Sequence, residues 1–330
     1  MKAFRRSLWG AVAIAACGGL PACADGAGNA SGAPGDAGSE ARVPADASPD
    51  VASEAATGDA AAAGRDAGSD AAAAPGGDAG HDAGPDDSAA GVDASDAGAP
   101  QAIGVPMYVD PSSSPATWAQ MTSGAPAVAL LIANPDNGPG SSAQADYTSE
   151  IAAVHAAGET IVGYVHTEYA ARSISDVEAD IDAWYSSYPA IDGIFSDETS
   201  SDKTTVSSYY EPLYEYVKKK TGADLVIVNP GTAVDESFLQ AADVIVTFED
   251  TYAKYTGAST PSWVANYPRW RFWNLVLSTS SVSDMQNAVS LARQRNVGYV
   301  YVTDQAPGTA YETIVSGSYW QAETAAVQAP

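Results

Sequence analysis

The 330-residue chain is 45% hydrophobic and carries a formal net charge of −26, with 41 acidic against 15 basic residues. So acidic a chain is not expected to bind nucleic acid, because phosphate backbones are recognised by clustered lysine and arginine. Its two cysteines, Cys17 and Cys23, both lie near the N-terminus, so the rest of the chain must fold without disulfides.

The first 23 residues have the pattern of a secretory signal peptide. Lys2, Arg5 and Arg6 precede an apolar run over residues 8–16 that is too short to remain as a membrane-spanning helix. Each cysteine follows a tripeptide that resembles the lipobox of bacterial lipoproteins. We therefore expect export, with lipidation at Cys17 or Cys23 anchoring the protein to the cell surface or outer membrane. Ordinary cleavage, with secretion of the protein, is the alternative.

Residues 24–100 differ completely in composition from residues 101–330. Asp-Ala-Gly recurs five times, no aromatic residue is present, and fifteen acids face only Arg42 and Arg65, for a net charge of −13. Such a segment buries too little apolar surface to offset its chain entropy. We expect a disordered linker. A calcium-binding repeat array is the other interpretation, but the spacing of the triplets is irregular.

Residues 101–330 form one block of the size of a barrel domain, with a net charge of −16, and we expect a monomer. Apolar strand segments alternate with segments that carry apolar residues at helical spacing. The predicted strands are 103–109, 127–133, 160–165, 193–195, 225–228, 244–248, 272–277 and 298–302. The predicted helical segments are 147–157, 174–188, 209–221, 237–242 and 282–296.

Eight such strands predict an α/β fold, a (β/α)8 TIM-type barrel preceded by a disordered N-terminal segment. A doubly wound open sheet is the competing architecture. It requires a glycine-rich phosphate turn after the first strand, where this chain has Asp110-Pro111-Ser112 instead.

Polar residues come after most of the strands and are expected around the mouth of the barrel, where TIM-barrel active sites lie. The candidate substrate-binding residues are Tyr108, Asp110, Asn134, Tyr164, His166, Asn229 and Asp304. Asp and Asn also favour turns, which accounts for Asp110 and Asp304 equally well. That explanation fits Asp197-Glu198 less well, because glutamate is not a turn residue and adjacent charges repel.

Asp197, Glu198 and Glu249 are the candidate catalytic residues. Glycoside hydrolysis needs one protonated carboxyl group and one ionised carboxylate, and crowding of acids raises a pKa enough to keep one protonated. Glu198 and Glu249 come from different strands and are the favoured acid–base pair, with Asp197 tuning charge or orienting the sugar. The exchange of roles between Asp197 and Glu198 is the alternative, because neighbouring side chains on a strand point in opposite directions.

The sequence supports three other functions less well than glycoside hydrolysis. Only two histidines lie in the domain, so a metal site formed by His166 with neighbouring carboxylates is poorly supported, and we expect no metal and no cofactor. No lysine ends a strand, which excludes a Schiff-base aldolase. A surface lipoprotein that binds polysaccharide without cutting it would keep the aromatic residues but would not need the acids.

The ordered motifs between residues 103 and 304 resemble the spherulation-specific family 4 (spherulin-4-like) proteins, grouped with glycoside hydrolase family 135. The motifs are VPMY at 105–108, NPDNGPG at 134–140, GYVHTEY at 163–169, DGIFSDE at 192–198, NPGT at 229–232 and FE at 248–249. The resemblance implies a (β/α)8 barrel that cleaves an N-acetylgalactosamine-containing polysaccharide internally, as fungal relatives do on galactosaminogalactan. It also implies that the essential acids are Asp197, Glu198 and Glu249. Ser196 departs from the family, in which an aromatic residue is common there.

Overall fold

The computed structural model describes residues 101–221 and 224–329. The predicted leader, Cys17, Cys23 and the predicted linker lie outside those residues. Eight parallel strands close into one barrel in chain order, and the eighth strand pairs with the first. They are β1 (Ala102–Met107), β2 (Val128–Ala133), β3 (Thr160–His166), β4 (Gly193–Asp197), β5 (Leu225–Val228), β6 (Val244–Thr251), β7 (Phe272–Leu277) and β8 (Tyr299–Val302). The predicted (β/α)8 barrel is confirmed.

The strands are buried on both faces, as their near-continuous apolar sequences predict. All six residues of β7 are buried, and Trp273 reaches across the barrel interior to Phe195, with 5.9 Å between the ring centroids. Gly104 makes room for this indole, since a Cβ at that position would lie 2.8 Å from the Trp273 ring. The lower part of the barrel is therefore a packed core, and the chemistry is confined to the rim above it.

Seven α-helices lie within the described residues. They are α1 (Pro115–Thr122), α2 (Ala145–Ala157), α3 (Ile174–Ser187), α4 (Glu211–Thr221), α5 (Tyr252–Tyr255), α6 (Val282–Gln294) and α7 (Gly317–Gln328). Helices α3 and α6 begin at serines whose hydroxyls accept hydrogen bonds from the third following backbone N–H, the usual N-cap arrangement. Helices α1, α5 and α7 were not predicted from the sequence. None of the helices in these ranges is long and apolar enough to cross a membrane.

One predicted helical segment, 237–242, is a short 3₁₀ helix over Glu236–Gln240. Only fifteen residues separate β5 from β6. Pro230 and Gly231 are the second and third of these residues, and the 3₁₀ helix comes five residues after Gly231. The ends of β5 and β6 lie side by side because the two strands are paired neighbours in the barrel.

At the opposite end of the barrel, half-buried aspartates accept hydrogen bonds from backbone groups at the starts of strands. Asp192 Oδ2 accepts a 2.8 Å hydrogen bond from the Ile161 N–H, and Asp243 Oδ2 accepts an equivalent bond from the Val226 N–H. These carboxylates satisfy backbone donors that the barrel ladder leaves open. Polar residues at this end of a barrel serve stability, so we assign these acids no catalytic role.

Candidate active site

One asparagine side chain bridges two carboxylates at the rim of the barrel. Asp197 ends β4, Asn229 comes directly after β5 and Glu249 lies on β6, so three neighbouring strands supply the group. Asn229 Nδ2 lies 2.8 Å from Asp197 Oδ1 and 2.6 Å from Glu249 Oε2. These two carboxylate oxygens are therefore no more than 5.4 Å apart, the sum of 2.8 and 2.6 Å.

The orientation of the Asn229 amide is set by its own hydrogen bonds. Its Oδ1 accepts a 2.9 Å bond from the Gly231 N–H, so the amide nitrogen must face the two carboxylates. Gly231 has a φ of +63°, a left-handed conformation that costs glycine little, and its carbonyl accepts a 2.9 Å bond from the Glu249 N–H. The Asn229–Gly231 turn thereby sets the distance between the acids.

Two phenols complete the hydrogen bonding of the acids. Tyr164 donates to Asp197 Oδ2 at 2.9 Å, and Tyr311 donates to Glu249 Oε1 at 2.7 Å. Each of the four carboxylate oxygens therefore has a donor. Tyr108 packs edge-on against both phenols, with ring centroids 5.5 Å from Tyr164 and 5.4 Å from Tyr311. Three tyrosines from separate parts of the chain thus form one wall of the site.

Sequence reasoning missed Tyr311, which lies in the irregular segment between β8 and α7. The only signal for it is an aromatic residue in the last loop on the rim side of the barrel.

Burial dominates the electrostatics of this pair. It raises the pKa of Glu249 to about 7, with the nearby charge of Asp197 as the second cause. Burial also raises the pKa of Asp197, although hydrogen bonds from Tyr164 and Asn229 act in the opposite direction. Two crowded carboxylates cannot both ionise easily, so the pair retains one proton close to neutral pH. Such a pair can present one acid and one carboxylate at the same time.

Glu198 is separated from this pair although it comes directly after Asp197. Its φ of +51° turns the backbone out of β4, and Asn229 donates to the other two acids only. Burial raises the pKa of Glu198, and the charge of Glu168 adds to the effect. Glu198 therefore lies at the mouth, beside the loop after β3.

That loop is a left-handed turn made without glycine or asparagine. Glu168, Tyr169 and Ala170 have φ values of 48°, 56° and 71°, a conformation that costs L-residues about 1–2 kcal/mol each. The turn is fastened to β4: the Tyr169 N–H donates to the Glu198 carbonyl at 2.7 Å, and the Thr167 hydroxyl donates to the same carbonyl at 2.8 Å. The sequence contains no signal for this conformation.

The other predicted substrate-binding residues make local contacts. Asn134 Oδ1 accepts from the Gly138 N–H, and Asp110 accepts from Ser112 and Ser113 in a turn. Asp304 is exposed and accepts from the Gln305 side chain. No hydrogen bond joins these three described residues to the acid pair, and their role in substrate binding stays a prediction.

His166 is half-buried at the end of β3, with Nδ1 3.4 Å from Asn137 Nδ2 and Nε2 3.8 Å from Glu168 Oε1. Burial, and then the charge of Arg172, lowers the pKa of His166, which favours the neutral ring. Across residues 101–221 and 224–329, no three His, Cys, Asp or Glu side chains come together in a way that could hold a metal ion.

Residues 102–327 match the model of spherulation-specific family 4, and the chain belongs to that family. It is similar to Spherulin-4 of Physarum polycephalum, at 38% identity over 237 residues that cover 68% of this chain and 69% of that protein. Among solved structures it resembles Aspergillus clavatus Sph3 in complex with GalNAc, with a TM-score of 0.58 and 26% identity. That alignment covers 71% of this chain and 99% of the Sph3 chain.

Proposed function

We propose that this protein is an exported, endo-acting glycoside hydrolase that cleaves an N-acetylgalactosamine-containing polysaccharide. The observation that carries the proposal is the pair of half-buried acids, Asp197 and Glu249, which one amide nitrogen bridges at the barrel mouth. Hydrolysis of a glycosidic bond needs two such groups in different protonation states.

The substrate class rests on the family and on charge. A similar structure, Aspergillus clavatus Sph3, is described in complex with GalNAc, and the net charge of −16 on residues 101–330 disfavours polyanionic chains. Galactosaminogalactan is the substrate that the family resemblance implies, and it is the polymer to test first.

The acid is Glu249, because burial and the neighbouring charge of Asp197 raise its pKa to about 7. Asp197 is the ionised partner, since its charge is the second cause that raises the pKa of Glu249. This assignment differs from the pair favoured on sequence, Glu198 with Glu249, because the Asn229 bridge joins Asp197 to Glu249. Glu198 is assigned to substrate contact at the mouth.

The spacing of the pair supports retention of configuration. Carboxyl groups of retaining enzymes stand roughly 5–5.5 Å apart and those of inverting enzymes roughly 6.5–9.5 Å apart, and here the bridged oxygens are within 5.4 Å, the sum of 2.8 and 2.6 Å. Asp197 attacks the anomeric carbon, the glycosidic C–O bond breaks, and Glu249 protonates the departing oxygen. Water then attacks the glycosyl ester, Glu249 takes its proton, and the Asp197 carboxylate is released.

The test is incubation of the full chain with galactosaminogalactan, with an assay for new reducing ends. Asp197→Asn and Glu249→Gln should each lower turnover by ~10²–10⁴-fold or more. Asp250→Asn is the matched control, because Asp250 is the next residue after Glu249 but pairs with Lys254 at 2.6 Å. Glu198→Gln should have a smaller effect than either.

Polymer binding without any release of reducing ends would contradict hydrolysis and favour a binding protein instead. Turnover that survives in both Asp197→Asn and Glu249→Gln would contradict the assignment of the pair. Each variant must first show an intact thermal transition.

The leader supports export and anchoring, with lipidation at Cys17 or Cys23. Both cysteines come after lipobox-like tripeptides. Detergent partitioning of the full-length chain and of its cysteine variants tests this part of the proposal.

A further inference from the structure

Tyr169 combines two unfavourable features at one position. Its side chain is 53% exposed, and only one other aromatic among the described residues, Trp270 at 42%, is also a large exposed ring. Its backbone has a φ of 56°, the middle value of the left-handed turn Glu168–Ala170. An exposed aromatic on a strained backbone contributes nothing evident to folding, and strain of this kind concentrates at binding sites.

The turn has a defined place at the mouth. It lies just after β3, and the Tyr169 N–H donates to the Glu198 carbonyl at 2.7 Å. The phenol is close enough to the acids for their charges to act on it: partial burial raises the pKa of Tyr169, and Glu198, Asp197 and Glu249 raise it further. The turn therefore lies next to Glu198, and the Tyr169 phenol lies within electrostatic range of the three acids.

The surroundings hold the turn rigidly. Thr167 is fully buried, and its hydroxyl donates to the carbonyls of Asp197 and Glu198 at 3.1 and 2.8 Å. The same hydroxyl lies 3.1 Å from the Tyr210 phenol oxygen, which ties the turn to the segment before α4. The backbone position of Tyr169 is thus set before any ligand arrives, which reduces the entropy lost on binding.

We propose that Tyr169 is a stacking platform for a sugar residue that adjoins the scissile bond, held at the mouth by the left-handed turn. The ligand class is a neutral or N-acetylated hexosamine chain, whose apolar ring face packs on an exposed aromatic face. Tyr169 is a positioning residue: it binds the chain beside the acids and takes no part in proton transfer. This inference rests on the proposed function and deepens it by naming a subsite.

The test measures binding of galactosaminogalactan and the kinetics of reducing-end release with the full chain. Tyr169→Ala should weaken binding and raise KM by about 10-fold, with a smaller change in kcat. Tyr169→Phe keeps the ring and should behave as the parent. Trp270→Ala removes the other exposed ring, which lies just before β7 at the opposite end of the barrel, and should leave both measurements unchanged.

A second measurement separates binding from folding. Tyr169→Gly and Tyr169→Ala both lack the ring, but glycine adopts a φ of 56° without steric cost. The glycine variant should therefore melt no lower than the alanine variant, while both bind equally weakly. Weak binding by a variant that is not destabilised supports a platform.

Parent-like binding and KM in Tyr169→Ala overturn the inference, even if the protein cleaves the polymer. Absence of cleavage, with binding that still depends on Tyr169, overturns the proposed hydrolysis and leaves the platform standing. A parent protein that does not bind the polymer overturns both.

Discussion

The phenol of Tyr311 donates a 2.7 Å hydrogen bond to Glu249 Oε1, although the two residues are 62 positions apart in the chain. Tyr311 belongs to the irregular segment after β8, and Glu249 to β6, so the last loop of the barrel closes over the acid pair. This bond lowers the pKa of Glu249 and so opposes the larger effects of burial and of Asp197.

Tyr311→Phe should consequently raise the pKa of Glu249. A general acid works while it is protonated, so kcat/KM of the parent should fall as pH rises through about 7. This fall is the alkaline limb of the pH–rate profile. In Tyr311→Phe the alkaline limb should move to higher pH, and the measurement is a pH–rate profile on the polymer. Tyr214→Phe is the control, because Tyr214 donates to Asp243 at 3.2 Å beside the start of β6. An unchanged alkaline limb in Tyr311→Phe contradicts the assignment of Glu249 as the acid.

Glu323 should make stability depend on pH. It is fully buried on α7, its Oε1 accepts from the Val302 N–H at 2.8 Å, and burial raises its pKa to about 8. A raised carboxyl pKa means that the folded state binds the proton more tightly, so this residue's contribution to stability falls as pH rises from about 4.5 through about 8.

Glu323→Gln keeps the accepting oxygen and removes the titration. The variant should melt a few degrees higher than the parent at a pH of about 9 and show a smaller difference at about 5. Glu312→Gln, at an exposed position, is the control. Equal shifts in melting temperature at both pH values would falsify this prediction.

Gly231→Ala should damage the site through the backbone. Gly231 has a φ of +63°, and an added Cβ would lie 3.6 Å from Glu249 Cβ. The substitution strains the turn that orients Asn229, so we expect a loss of about 1 kcal/mol in stability and about 10-fold in kcat/KM. Gly308→Ala imposes a similar strain at a φ of +88°, where nothing lies within 4 Å, and should lose stability without losing activity. Equal activity losses in the two variants would show that the Asn229 turn has no special role.

The leader predicts a lipid anchor. Full-length protein produced in a bacterial host should partition into detergent, and the double substitution Cys17→Ser with Cys23→Ser should leave it in the aqueous phase. The single substitutions identify the lipidated cysteine. Aqueous parent protein with an unmodified N-terminus would rule out the anchor.

Local patterns in the sequence were sufficient to predict the barrel and the positions of its strand ends. Near-continuous apolar strands such as Phe272–Leu277 alternate with helical segments such as Val282–Gln294, and both patterns arise from local periodicity. Strand ends could be located because the apolar pattern stops there, which marked Asp197, Asn229 and Glu249 as rim residues. The family could be recognised because its motifs occur in order along the chain.

Which acids form a pair depends on the tertiary structure. Sequence reasoning favoured Glu198 with Glu249, and the structure bridges Asp197 to Glu249 through Asn229. The choice depends on the φ of +51° at Glu198, which turns that residue away from its neighbour at the strand end. Apolar periodicity carries no information about the dihedral angle of a single residue after a strand, because that angle is set by contacts with other strands.

The same reason explains the two features that the sequence did not signal at all. Tyr311 reaches Glu249 only because the barrel closes and brings the last loop over β6. The left-handed turn at Glu168–Ala170 contains none of the residues that favour it, and its hydrogen bonds to Glu198 exist only when β3 lies beside β4. Long-range pairing overrides local preference at both places, and both lie at the candidate active site.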